Sequence, residues 1–151
     1  MDKFIKESIN SEIVKINNLI IFIKPLVDLS KFIEPEQKEI IIIAMAIHSF
    51  YTGIEKIGLL YFESIKNIPR DNQWHKALLN KMFSENHNNI GLIRQGLREN
   101  IENYLAFRHL VRNLYCTDLK WDKMKILVEN LEDTWEMIKS DFEHFFKGEY
   151  Q

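Results

Sequence analysis

IIIIAMAIHSFYTGIEKIGLLYF, residues 40–62, decides the fold. Ile41, Met45, His48, Thr52, Glu55 and Leu59 step by three or four, as one face of a helix does. Ile40, Ile43, Ile47, Ile54, Ile57 and Leu60 mark the other faces, so apolar side chains cover most of the circumference. A helix of that kind belongs at the centre of a bundle. Pro35 suits its first turn, and it reaches roughly Asn67 before Pro69.

Working outward, proline, glycine and asparagine divide the rest into four more helical stretches. The first runs from about Asp2 to Lys24 and stops before Pro25, with PLVDLSKFIE as the connector. The third runs from Asp71, a plausible capping residue, to about Glu85, ahead of the polar loop NHNN. The fourth covers about Leu92 to Leu114 or Tyr115. The last begins near Trp121 and carries Met124, Val128, Leu131, Trp135, Ile138 and Phe142 on one stripe, with Glu129, Glu132, Asp133, Glu136 and Glu143 on a solvated face. The expected fold is all-α, an up-and-down bundle of about five helices with a long central second helix.

The chain has 151 residues, which bounds it to a single domain, and 46% hydrophobic content is enough to build its core. Five glycines and three prolines argue against a turn-rich β architecture. Cys116 is the single cysteine, so no internal disulfide or multi-cysteine zinc site is possible. The histidines (His48, His75, His87, His109, His144) show no metal-ligand pairing, so neither metal nor cofactor is expected. The longest apolar run, eight residues from Ile40 to Ile47, falls short of the about 20 that a membrane span needs. A cytoplasmic location is expected.

Net charge is only -2, which excludes a polycation that binds nucleic acid indiscriminately. The arginines are nevertheless clustered: Arg94, Arg98, Arg108 and Arg112 lie within residues 94–112, while the lysines are dispersed. Arginine suits forked contacts to phosphate or carboxylate. The bland reading of Arg98 is an i,i+4 pair with Glu102. The cluster ends in FRHLVRNLY, residues 107–115. On an ideal helix with Arg108 at zero, Phe107, Leu110, Val111 and Leu114 fall at roughly 200° to 300° as a core stripe. Arg112 and Tyr115 fall within roughly 40° of Arg108, and His109 and Asn113 share a second outward row. Guanidinium groups beside an imidazole suit holding a phosphodiester and moving protons near it without metal.

FRHLVRNLY resembles the motif of the HEPN superfamily of all-α, metal-independent ribonucleases: an arginine, a polar residue, a short spacer, a histidine and, in HepT-type toxins, a tyrosine two positions later. AMAIHSFYTGIEKIGLLYFESI, WHKALLNKM and YCTDLKWDKM are similar to the HepT-like branch in order and spacing, so the likeness covers most of the chain. The resemblance implies Arg108 as phosphate ligand, His109 as its polar neighbour, and Tyr115 as the tyrosine that a nucleotidyltransferase antitoxin adenylylates. It also implies a homodimer whose paired motif helices hold an RNA substrate, with Arg112 and His109 extending the cleft. Read from the residues themselves, Arg98 is a further RNA-binding candidate of the arginine cluster. The polar row His48, Thr52 and Glu55 is placed either to support the site, Glu55 being a natural partner for an arginine or histidine on a neighbouring helix, or to stand as satisfied core polar groups. Where the motif has histidine, this chain has Asn113. An amide does not titrate near neutrality and cannot carry the proton, so a weakened or inactive nuclease is expected. The alternative is a non-catalytic helical module that binds RNA or a nucleotide and docks on a nucleotidyltransferase.

Overall fold

The computed structural model describes residues 1–83 and 91–148. Among these lie six α-helices: α1 (Lys3–Ser30), α2 (Gln37–Ser64), α3 (Trp74–Phe83), α4 (Arg98–Asn113), α5 (Lys125–Glu129) and α6 (Leu131–Gly148). Short 3-10 turns at Gln95–Leu97, Cys116–Asp118 and Trp121–Lys123 join them, and no strand occurs among the described residues. The protein is an all-α bundle with its second helix at the centre.

The central helix begins later than its proline suggests. Pro35 lies ahead of the cap, and Glu36 and Glu39 form a reciprocal capping box that satisfies two backbone donors at the helix start. The end comes at Ser64, where Asn67 N–H donates to Phe62 O at 2.8 Å and Lys66 takes the left-handed conformation with φ 54°. That bond closes a Schellman-type stop, so the helix does not reach Asn67. Ile43, Ile47, Phe50, Tyr51, Ile54 and Ile57 are wholly buried. By length and composition α2 is apolar enough to cross a membrane, but the bundle buries most of it.

Pro25 does not stop α1, contrary to expectation; the helix continues to Ser30. Proline removes one N–H, which orphans the carbonyl of Ile21 four residues back. Both Ile21 and Pro25 face solvent, where water can satisfy that carbonyl, while buried Ile23 and half-buried Leu26 and Val27 carry the core stripe past the break. The pair Lys56 Nζ and Glu12 Oε1, 2.6 Å apart, joins late α2 to early α1 and makes the two helices antiparallel.

α3 starts at Trp74 rather than Asp71; the Asp71 carboxylate instead accepts Gln73 N–H in the preceding turn. The expected end at Glu85 and the NHNN loop with His87 lie outside the described residues. The last stretch is divided: α5 stops at Glu129, Asn130 forms a turn, and α6 restarts at Leu131. Trp135 on α6 anchors the core by donating to Asn17 Oδ1 at 2.7 Å and meeting Phe50 edge-on, which in turn meets Tyr104 of α4. The Phe50–Tyr104 contact fixes α4 against α2, and Gln37 Nε2–H at the start of α2 donates to Cys116 O just past the end of α4 at 3.1 Å.

Candidate functional site

Arg108 does not face outward. Its side chain is 7% exposed and its Nη1–H donates to Glu55 Oε1 of α2 at 2.9 Å, a pair spanning 53 positions of sequence. The helical wheel fails here because α4 is rolled: Ile101, Tyr104, Phe107 and Arg108 are buried, and Leu110 and Leu114, placed in the core stripe by periodicity, are 39% and 37% exposed. A wheel sorts side chains by polarity, so it sends an arginine to water. A carboxylate buried on the facing helix reverses that choice, because each charge offsets part of the cost of burying the other.

Glu55 uses both oxygens. Oε2 lies 2.7 Å from His75 Nδ1 of α3, and since a carboxylate accepts, the ring nitrogen facing it carries the proton. Trp74 stacks on the His75 ring, and the Arg108 guanidinium lies over the Tyr51 ring at 5.6 Å. Burial, then the Glu55 charge, pushes the Tyr51 phenol well above its ordinary range, so the phenol stays neutral under the guanidinium. Three helices are thus fastened through one carboxylate. The Arg108 Nε is buried and has no hydrogen-bond partner.

The rest of the motif lies at the surface. His109, Arg112 and Asn113 are exposed, and Asn113 is the last residue of α4. Its Nδ2–H donates back to His109 O at 2.9 Å. Tyr115 lies past the helix in extended backbone and is 83% exposed, so it does not share the helical row assigned to it by the wheel. Arg98 belongs elsewhere: at the other end of α4 it donates to Glu102 Oε1 at 3.0 Å, bonds Asn80 and covers the Phe83 ring. The i,i+4 pairing read from the sequence is the one it makes.

His48 is half-buried on α2, two turns before Glu55. Burial, then the charges of Arg108 and Arg112, lowers its pKa below the ordinary 6.5, against a smaller opposing pull from Glu55. The unfolded chain consequently takes up the proton first as pH falls. Stability should therefore decline from pH 6.5 downward as the pH passes through the folded-state value, and His48→Gln should flatten that decline. Urea denaturation of both proteins at pH 8 and pH 5 checks it; an equal loss in both would show that other groups set the slope.

Of the residues expected at the site, the fold joins Arg108 to Glu55, keeps His48 half-buried two turns earlier on α2, leaves His109, Arg112, Asn113 and Tyr115 exposed at or just past the end of α4, and separates Arg98. Sequence reasoning missed His75. Its only signal is its place beside Trp74 in WHKALLNKM, a stretch that itself carries no carboxylate to suggest a partner. A family model described as HepT-like protein matches residues 42–148, from α2 to the end of α6. No curated protein and no solved structure matches.

Proposed function

The chain belongs to the HepT-like family, and from that premise we propose that it is the toxin side of a toxin and antitoxin pair: a metal-independent HEPN-type RNA endonuclease, acting in the cytoplasm, with a catalytic centre weakened in this copy. The observation that carries the reading is the placement of the motif on α4: Arg108 lies against α2 with its Nε unpartnered, while Arg112 and Asn113 stand exposed at the adjoining end of the helix. Arg112, exposed, makes the first contact with an incoming phosphate. Arg108 engages it once the pair with Glu55 opens, and the unpartnered Nε is a donor that a phosphate oxygen would satisfy.

In a competent site the histidine at position 113 takes the proton of the ribose 2′-hydroxyl. The 2′-oxygen bonds to phosphorus, the bond from phosphorus to the 5′-oxygen breaks, the leaving oxygen gains a proton, and a cyclic phosphate remains. Asn113 cannot accept that proton. A homodimer would cover the exposed Leu110 and Leu114 of α4 together with Ile42 and Met45 of α2, and would bring two sets of arginines to one cleft. The test is cleavage of total cellular RNA in chelator by the Asn113→His protein; cleavage no greater than that of the unaltered chain removes the nuclease reading.

A second reading is favoured by the exposure of Tyr115. On this reading the chain is a binding module and substrate of a nucleotidyltransferase: the tyrosine oxygen attacks the α-phosphorus of ATP, pyrophosphate leaves, and the phenolic proton goes to solvent. The phosphate so added would lie near Arg112 and compete with RNA for it. Mass spectrometry after incubation with ATP and the enzyme encoded by the neighbouring gene should show AMP on Tyr115, with Tyr115→Phe abolishing it; modification unaffected by that substitution removes the assignment.

A further inference from the structure

Resting on the RNA-binding reading above, we infer that His75 is a positioning residue for the phosphate ligand: it keeps Glu55 hydrogen-bonded while Arg108 leaves that carboxylate for an incoming phosphate. The two oxygens of Glu55 serve different helices. Oε1 accepts from Arg108 Nη1–H of α4 at 2.9 Å, and Oε2 accepts from His75 Nδ1–H of α3 at 2.7 Å. The Glu55 side chain is 6% exposed, so water is poorly placed to replace either donor. With Arg108 as its only partner, releasing the guanidinium would strand a buried charge, the costly way to break such a pair. A second charge-assisted bond on the other oxygen offsets part of that cost.

The surroundings hold His75 to that task. Trp74 stacks on the imidazole with ring centroids 3.5 Å apart and planes 30° apart, which keeps the ring turned toward Glu55. α3 comes within reach of α2 because Gly58, three positions after Glu55, has no side chain: a Cβ there would lie 2.6 Å from Met82 Sδ of α3. Both members of the buried pair are equipped to part. Arg108 Nε is buried with no hydrogen-bond partner, a donor that Glu55 does not use, and Glu55 Oε2 is an acceptor that Arg108 does not use. On separation the guanidinium has a phosphate oxygen to take, and the carboxylate still has His75.

The test is fluorescence anisotropy of a short single-stranded oligoribonucleotide with the full chain, comparing His75→Phe with His75→Asn. Phenylalanine keeps a ring against Trp74 and loses the donor; asparagine loses the ring and presents an N–H the same number of bonds from the backbone as Nδ1. His75→Phe should weaken binding about tenfold or more, and should flatten its salt dependence by about one charge because Arg108 stays on Glu55. His75→Asn should bind as the unaltered chain does. In a Glu55→Gln background His75→Phe should have no effect, since no buried carboxylate remains to be held; an equal loss there would show that His75 does not act through Glu55 and would overturn the inference. A packing role predicts the reverse order of the two single variants. Asparagine binding as weakly as phenylalanine, or no loss in either, would also overturn it and leave the RNA reading standing. If His75→Phe fails to fold, which circular dichroism would show, the unaltered chain decides: the His75 Nδ1–H proton resonance should move downfield on saturation with the oligoribonucleotide, and no movement would overturn the inference. No binding by the unaltered chain or by Asn113→His would take both readings down.

Discussion

Asn113→His is expected to raise RNA cleavage by about 10²–10⁴-fold, the usual contribution of a positioned general acid or base. The position permits it: residue 113 is exposed at the C-terminal end of α4, so an imidazole fits without disturbing the core. The bond that would be lost, from Asn113 Nδ2–H to His109 O, lies at the surface and contributes little to the fold. The new imidazole would titrate near neutrality with Arg112 one position before it, so cleavage should rise with pH through the histidine range and persist in chelator. Asn113→Gln, which lengthens the side chain without adding a titrating group, should give no increase. Product formation equal in the histidine and glutamine variants would separate the gain from proton transfer and sink the mechanism, while tight, salt-sensitive RNA binding without product in either would leave the binding-module reading.

Glu55→Leu should lower the unfolding free energy by about 3–5 kcal/mol, because it strands a buried guanidinium and removes the partner of His75. That is a large part of the roughly 5–15 kcal/mol available to a domain, so the variant should be partly unfolded at modest urea concentrations. The loss comes from leaving charge uncompensated rather than from a large net value of the pair. The double variant Glu55→Leu with Arg108→Met should therefore recover much of it, since a well-packed apolar pair often replaces a buried ion pair at little cost. Chemical denaturation of the two single variants and the double completes the cycle. Additive losses would show that the carboxylate and the guanidinium do not depend on one another. Glu55→Leu should also move the Arg108 charge toward solvent, so weaker RNA binding than in the parent would count against the view that opening this pair exposes the phosphate ligand.

The amino-acid sequence by itself determined that the chain is helical, where the central helix lies and which residues are clustered near one end of α4. Those are local properties. The spacing of isoleucines through residues 40–62 sets the faces of α2 whatever packs on them, and FRHLVRNLY is legible as a motif because its residues are neighbours in the chain. The family match over residues 42–148 agrees with the HepT-like resemblance read from the sequence. Helix ends were less legible. The capping box at Glu36, the left-handed Lys66 and the turn at Asn130 depend on single hydrogen bonds and backbone angles that periodicity does not record.

Tertiary structure alone decided what the charged residues do. Whether Arg108 is a surface cation or a buried one depends on a carboxylate 53 positions away, and whether Pro25 ends a helix depends on whether water reaches the carbonyl it orphans. The close approach of α1 to α2 needs a bare backbone at Gly53 on one helix to admit Ile16 of the other. Polarity and spacing rank residues along one helix; the free energy of a charge or a bare backbone is set by what the neighbouring helix places against it.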